Sequence, residues 1–457
     1  MNALALGNFR HFKYWEQYTE SMLWRTAYEG GQPFIDEYLE RFSAKEDDAE
    51  FVLRKRITYP PVFAKAAINE VKNSIYTRMS DIVRTGGTPS YQAAVLTNVD
   101  NRDNSMNSFI GCEVLEELLV MGRVGVFIDM PKQKGPALID NVNSRPYLYI
   151  YRAEDILGWS EDQSGGFRSV FLRDYQAGYD EFTGMPTNLN ETYRHLWSEN
   201  GRVYAQLYGK ASDSGNGNQT VDPLSSISEV IELDLPQIPF TYICLPTSLM
   251  KDIAYYQVAL LQLASSDMSV ITKSGFPIYT EQFDPQAEVS RFIRNGDGDD
   301  DEISSDATAP QTVNLGSVTG RRYPKGTDRP DFIHPSVEPI KLSMEKQKQL
   351  KEEIRLILNL TISNLDPQRV SSGAKKQDSE GLAAGLSFIG LKLQTAESQI
   401  AKVWSAYEAK DQVAIVTYPD TYDAESDSER LTKSKDMIDL STKVNSLTFK
   451  REVQKSR

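Results

Sequence analysis

Asn295, Asp297 and Asp299 stand at the first, third and fifth positions of a calcium-loop pattern, where side-chain oxygens would ligate a hard cation. The sixth position should be Gly and is Asp300; the twelfth, usually a bidentate Glu, is Asp306. The run from Asn295 to Glu302 therefore reads as a solvated acidic loop, and no metal is expected. The three histidines, His11, His195 and His334, are widely separated, which disfavours a His-based triad or a zinc cluster. Cys112 and Cys244 are also far apart, so a disulfide framework is not expected and a reducing compartment suits the chain. Gly122-Arg123-Val124-Gly125 precedes a strand pattern instead of opening a helix, the reverse of a dinucleotide site. GxxxxGK[ST], GxSxG and HExxH do not occur. Glu116-Glu117 and Glu352-Glu353 are adjacent on helical patterns and so point to different faces, which is no arrangement for acid/base work. Neither a cofactor nor an enzymatic activity is expected.

The elements that hold these residues follow from apolar spacing. Residues 11–42 predict two helices, with stripes Phe12, Trp15, Tyr18, Met22 and Phe34, Tyr38, Phe42, separated by Gly30-Gly31 and Pro33. After Tyr59-Pro60-Pro61 another helix carries Ala64, Ala67, Ile68, Val71, Ile75 and Met79 inward. Between 123 and 245 the period falls to two. The expected strands are Val124–Asp129, Tyr147–Tyr151, Val170–Asp174, Tyr193–Trp197, Val203–Leu207 and Phe240–Leu245, with Asn200-Gly201 as a hairpin turn. No βαβ alternation is seen, so the fold class is α+β with an antiparallel sheet.

A long helix over about 249–272 is expected to turn Leu249, Ile253, Tyr256, Leu260, Leu263, Asp267 and Val270 to one side, and Gly275 and Pro277 stop it. Residues 281–338 are irregular, with 12 Asp and Glu against 6 Arg and Lys. A second long helix, about 341–361, points Ile354, Ile357, Leu358 and Thr361 inward. Its Lys346, Lys348, Lys351 and Arg355 either face outward as free cations or pair along the helix with Glu345, Glu352 and Glu353. Asp366-Pro367 closes this helix. A linker follows, and Ser379 is expected to cap the longest helix, about 380–410, with the stripe Leu382, Leu386, Ile389, Leu393, Ala396, Ile400, Val403, Tyr407. At about 1.5 Å per residue that helix is roughly 45 Å long. A strand, Val413–Tyr418, and a polar tail complete the chain. Two long helices flanking an excursion return the chain to where it left.

The net charge is −14 over 457 residues, the wrong sign for a protein that grips nucleic acid through clustered cations. No apolar run of 18 residues is present.

The order of several short motifs resembles the phage portal proteins, in particular a portal-like family formerly described as a domain of unknown function. Trp15, Phe34, Tyr38-Leu39 and Phe51 to Tyr59 resemble the opening of that family. Met121-Gly122-Arg123-Val124-Gly125-Val126-Phe127-Ile128-Asp129-Met130-Pro131 is similar to its next segment. Arg145-Pro146-Tyr147, Glu154-Asp155-Ile156 and Trp159 match the block after it. Ile238-Pro239-Phe240 and Leu249 to Ala254 resemble the start of its stem helix. Coverage runs from about residue 11 to 420; each motif alone is loose and their order carries the likeness.

The resemblance implies a portal fold with wing (1–248), first stem helix (249–273), clip (274–335), second stem helix (336–361), tunnel loop (362–378), long radial wing helix (379–411), and a wing strand with the start of a crown (412–457). Portal chains usually continue past a crown start, whereas this sequence stops at Arg457, so either the crown is short or the sequence is incomplete. The implied role is a dodecameric ring in a virion, at one capsid vertex, through which double-stranded DNA is packaged and ejected. The implied partners are the terminase large subunit, a head-completion or tail adaptor, and the major capsid and scaffold proteins, with assembly in the bacterial cytoplasm. Lys375 and Lys376 would repeat around the ring and touch phosphates, or belong to an ordinary solvated loop; Arg369 in the same loop is given no such role. Arg321, Arg322 and Lys325 would face partners or DNA from the clip.

Two other readings stand beside this one. A different virion ring or connector protein is usually much shorter and lacks two helices around a large excursion. An acidic glycan hydrolase, suggested by 10% aromatic residues, needs two carboxylates about 5–10 Å apart in one cleft.

Overall fold

A computed structural model describes residues 10–131, 144–163, 165–180, 182–210, 224–274, 278–280, 331–333, 338–365 and 377–422. Mixed helix and antiparallel strand make it an α+β chain. The described residues fall into two compact units. One lies within Met1–Leu39, Pro60–Leu261 and Gln349–Arg457, the other within Glu40–Tyr59 and Gln262–Lys348.

The first unit opens with helices α1 (Phe12–Glu29) and α2 (Gly31–Tyr38). Gly30 adopts φ +67°, which only glycine tolerates easily, and its N–H donates to the Thr26 carbonyl to end α1. The expected α1 stripe is overturned: Phe12, Tyr18 and Met22 are exposed, and Tyr14, Leu23, Trp24, Ala27 and Tyr28 are buried. α1 carries aromatics on several faces, so spacing alone offers more than one stripe and packing chooses between them. α2 buries Phe34 as expected, but it ends at Tyr38 and leaves Phe42 outside any helix and exposed.

Helix α3 (Asp48–Ile57) belongs to the second unit. In the first, α4 (Phe63–Thr77) buries Ala64, Ala67, Ile68, Val71 and Ile75, and Met79 just beyond it is buried too, all as expected. After β1 (Val83–Gly86) and α5 (Pro89–Thr97), a π-helical turn, Phe109–Val114, leads into α6 (Leu115–Met121). Gly122, at φ +71°, caps α6 in the left-handed region and sends the chain into β2 (Arg123–Asp129).

Strands β3 (Tyr147–Tyr151), β4 (Ile156–Glu161), β5 (Phe167–Tyr179), β6 (Pro186–Glu199), β7 (Arg202–Lys210), β8 (Leu224–Ser226), β9 (Ile231–Leu233) and β10 (Phe240–Cys244) follow. They form two antiparallel sheets. One has the order β10-β2-β3; the other runs β4-β5-β6-β7-β8, with β9 also on β7. Asn200 and Gly201 both have positive φ, 52° and 77°, and Glu199 pairs with Arg202, as a two-residue hairpin turn requires. Phe127, Tyr151, Ile156, Trp159, Leu172, Leu196 and Phe240 form one buried cluster drawn from both sheets. β5 and β6 are much longer than the expected 170–174 and 193–197, because hydrogen bonding to one partner strand continues after the buried alternation stops.

Helix α7 (Met250–Ser274) begins in the first unit and continues into the second; α8 (Glu338–Ser363) runs back. The α7 expectation needs correction. Ile253 and Leu260 are buried, but Tyr256, Leu263 and Val270 are only half-buried, and Ala254, Gln257, Leu261, Ala264 and Ser265 take the inner positions. Gln257 is fully buried because its amide is satisfied: its Oε1 accepts from the Ala64 N–H at 3.0 Å and its Nε2 donates to the Pro61 carbonyl. On α8 the buried residues are Leu350, Ile354, Leu358 and Ile362, a strict spacing of four, while Ile357 and Thr361 are half-buried.

Helix α9 (Gln377–Tyr407) starts before Ser379, so Ser379 lies in its first turn and is not its cap. Leu386, Ile389, Leu393, Ala396, Ile400 and Val403 are buried as expected, with Leu382 and Tyr407 half-buried at the two ends of the stripe. Strands β11 (Ile278–Thr280) and β12 (Asp331–Ile333) pair with each other, and β13 (Ala414–Thr417) pairs with β1.

Candidate functional site

The second unit is built around Arg54 of α3, whose guanidinium is almost wholly removed from solvent. It donates to Glu46 at 2.8 and 2.9 Å, to Ser265 on α7 at 2.9 Å and to the Glu40 carbonyl at 2.6 Å, and lies 3.8 Å from the Phe42 ring centroid. With a carboxylate partner and four hydrogen bonds, this buried cation is tolerated. Glu46 has its pKa lowered, first by the Arg54 hydrogen bonds. The segment Glu40–Tyr59 is thereby tied to α7.

Within this unit α7 and α8 lie side by side. The Gln347 amide donates to Asp267 Oδ2 at 2.6 Å, 80 residues apart in sequence. Asp267 is buried, so the bond satisfies a carboxylate that burial would otherwise penalise. Beyond the two helices, Ile278 pairs with Ile333 and Thr280 with Asp331. The chain leaving α7 and the chain approaching α8 are therefore held together before the excursion. The excursion's remainder, 281–330, lies outside the described residues, and with it Asn295 to Glu302, Asp306, Arg321, Arg322 and Lys325.

In the first unit the last turn of α8 meets the first turns of α9. A Cβ on Gly385 would collide with the Ile362 carbonyl, and one on Gly381 would stand 3.2 Å from Ser363. Two glycines four residues apart give α9 a smooth face on which α8 can end. The linker between these helices is thus anchored at both ends, and Arg369, Lys375 and Lys376 within it lie outside the described residues. Arg355 does not pair with Glu352 or Glu353: it donates to Glu70 of α4 at 3.0 Å, and Glu353 accepts from Gln349 at 2.7 Å. Packing brings Glu70 within reach, which the helix sequence cannot show.

A polar cleft of about 840 Å³ opens between α1, the π-helical turn, α6 and β3. Its carboxylates are largely engaged. Arg25 forks onto Glu117 at 2.6 Å and Glu154 at 2.8 Å; Lys72 holds Glu116 at 2.6 Å; Arg173 holds Asp155 at 2.9 Å. Glu116 and Glu117 meet different partners, as their adjacency on a helix requires. Burial works against the Arg25 charge, but the hydrogen bonds it donates to both glutamates outweigh this and its pKa is raised. Glu154 is lowered: burial opposes the anion and Arg25 more than compensates. Glu113 is raised, by burial and then by Asp100. A glycoside hydrolase needs a second free carboxylate opposite such an acid. Glu116, Glu117 and Asp155 are committed to lysine or arginine. Asp100 accepts from the Arg102 and Asn104 N–H groups and the Asn104 amide, and Glu29 also lines the cleft.

His195 makes a 2.9 Å contact with Ser169 and stacks on Trp197 at 4.8 Å. Burial lowers its pKa to about 4. Among the described residues no carboxylate is hydrogen-bonded to its other ring nitrogen, so the pair lacks the orienting member of a triad. His11 accepts from the Lys13 N–H at the start of α1 and stacks on Trp159 at 3.8 Å. Among the described residues no cluster of three or more His, Cys, Asp or Glu could hold a metal. Among the same residues no helix is long and apolar enough to cross a membrane.

No family model and no curated protein matches this chain. Solved structures do match over most of the length. A chain of the virion of a native gene transfer agent particle is 11% identical with TM-score 0.37, covering 93% of this chain and 95% of that one. A chain of the neck of an empty gene transfer agent particle, computed with C6 symmetry, is 11% identical with TM-score 0.36 over 88% and 91%. One from the neck of the native particle, computed with C12 symmetry, gives 11% and 0.37 over 86% and 90%.

Proposed function

We propose that this chain is a portal subunit: a structural protein that assembles as a ring, twelvefold, at one capsid vertex and forms the channel for double-stranded DNA. The observation that carries the reading is the return of α8 alongside α7, joined by Gln347 and Asp267 and closed by the β11–β12 pair. The two helices are then the stem, and the β11–β12 pair is the base of the clip. On this reading 1–248 is wing, 249–273 and 336–361 stem, 274–335 clip, 362–378 tunnel loop, 379–411 the radial wing helix, and 412–457 wing strand and crown start.

The physics suits a conduit that performs no covalent chemistry. Each phosphate gripped by a cation must be released again as DNA advances, and such contacts depend steeply on salt. A chain of net charge −14 avoids a continuous grip. At physiological ionic strength charges act over about 8–10 Å, so only groups near the duplex matter. Lys375 and Lys376 are the cations this reading puts on the moving DNA. The clip serves as the docking face for the terminase large subunit and later for the head-completion adaptor. Major capsid and scaffold proteins are further partners on this reading, and the protein resides in the virion after assembly in a bacterial cytoplasm.

Electron microscopy of the purified protein tests the reading: rings with an axial hole support it, and a compact monomer that turns over glycans overturns it.

A further inference from the structure

β5 and β6 run past the rest of their sheet. β4 pairs with β5 only as far as Leu172, and β7 pairs with β6 only from Thr192 onward. From Arg173 to Glu191 no third strand among the described residues pairs with either, although Arg173 and Asp174 at the base hold Asp155 and Tyr151. An isolated two-stranded ribbon is marginal in water, and the described residues at its end are joined by hydrogen bonds. Asp180 Oδ1 accepts from the N–H groups of Phe182 and Thr183 at 3.1 and 2.8 Å and from Thr183 Oγ1 at 2.9 Å. The Asp180 N–H donates to the Met185 carbonyl and the Gly184 N–H to the Asp180 carbonyl, both at 2.9 Å. The turn holds an apolar knob in solvent: Phe182 is 99% exposed, and Tyr179, Met185 and Leu189 are each about two-thirds exposed. An exposed cluster of large apolar side chains of this kind is a candidate interaction site.

The same unit carries an apolar socket of about 370 Å³, with Phe127 and Leu196 on its floor and Met130, Leu207, Ile231 and Tyr407 among its walls. Arg194, on the socket wall, and Met185, at the tip, are nine positions apart on one extended stretch. At about 3.3 Å per residue, the knob is held roughly 30 Å from its own socket. Only another copy of the chain can bring the two together. The stretch from Asp174 to Tyr193 contains no Lys or Arg and includes Asp180, Glu181 and Glu191, so an anionic membrane surface would repel it.

We propose that the β5–β6 ribbon is an arm that inserts Phe182 and Met185 into the Phe127–Ile231 socket of the next copy in a ring. This rests on the ring reading above. It is a heterologous contact, in which arm and socket are different patches of each subunit, and such contacts close when the rotation between copies is right.

Mixed-subunit cross-linking tests it. In a Cys112→Ser, Cys244→Ser background, one tagged pool carries Phe182→Cys and a differently tagged pool carries Ile231→Cys. On mild oxidation of mixed assemblies, a disulfide joining the two tags is expected, since Cβ atoms must approach to about 4 Å. Separately, Phe182→Asp with Met185→Asp is expected to raise the concentration for half-assembly at least about tenfold, read by mass photometry. At a concentration where both wild type and variant are monomeric, the thermal unfolding curve should not move, because both side chains are largely exposed in the single chain. Rings that form with neither cross-link nor shift would overturn the arm and leave the ring reading standing. A wild-type chain that stays monomeric at every concentration overturns both. Binding of the tip to anionic phospholipid vesicles, lost in the double Asp variant while assembly is unchanged, overturns the arm in favour of a lipid contact.

Discussion

Arg84 on β1 reaches Glu397 on α9 at 2.5 Å, across 313 residues of sequence. Glu397 is fully buried, and the hydroxyls of Tyr91 and Tyr418 also donate to it, at 3.3 and 2.9 Å. One carboxylate therefore ties α9 to β1, α5 and the segment after β13. Taking it out of water is costly, and the four-way satisfaction is what makes it tolerable. Removing Arg84 alone, as Arg84→Met, should cost about 3–5 kcal/mol in chemical denaturation, because the anion stays behind unpaired. Arg84→Met with Glu397→Leu should recover much of that loss. Equal destabilisation of single and double variants would show that the pair is not the source.

Gly385 packs on the Ile362 carbonyl, where a side chain has no room. Gly385→Ala is expected to destabilise by roughly 1–3 kcal/mol through overpacking, and Gly381→Ala, which meets only the Ser363 side chain, by less. Urea midpoints of the two variants check the order.

His195 predicts a pH dependence. Its pKa falls from 6.5 to about 4 in the folded chain because burial disfavours the cation. Below pH 6.5 the unfolded state takes the proton first, so stability is fully present above 6.5 and declines down to about 4. The upper bound is about 3–4 kcal/mol, at about 1.4 kcal/mol per unit. His195→Gln should flatten the unfolding free energy across this window; an unchanged slope would assign the dependence to other groups.

Lys375→Glu with Lys376→Glu should leave assembly intact and reduce DNA packaging or retention. Normal packaging would remove these lysines from the mechanism.

Replacing 281–330 by a short Gly-Ser turn keeps β11 and β12 available to pair. The variant is expected to fold with an unchanged melting curve and to lose terminase docking in pull-down. Retained docking would place the motor contact elsewhere.

Much of this architecture is legible in the linear chain. The 4-3-4-3 stripe of α9 survives folding almost unchanged, and Tyr147–Tyr151 forms a strand with the predicted bounds. Asn200-Gly201 makes its hairpin because few other residue pairs accept two positive φ angles. These features depend on local periodicity and backbone preference, which are properties of neighbouring residues.

Only the tertiary structure decided which faces were inner. α1 offers aromatics on several sides, and α7 buries the amide of Gln257 in place of Tyr256 because Ala64 and Pro61 supply its hydrogen-bond partners. Arg355 chose Glu70 over its helical neighbours, Arg84 found Glu397, and Gln347 found Asp267, each across tens to hundreds of residues. The apolar knob at Phe182 gave no sequence signal, since an exposed phenylalanine looks like a core residue until the coordinates put water around it. Composition determined that this is a folded, acidic α+β chain without the common catalytic motifs. Long-range packing decided where its charges are spent, because a buried charge is stable only where distant partners converge on it.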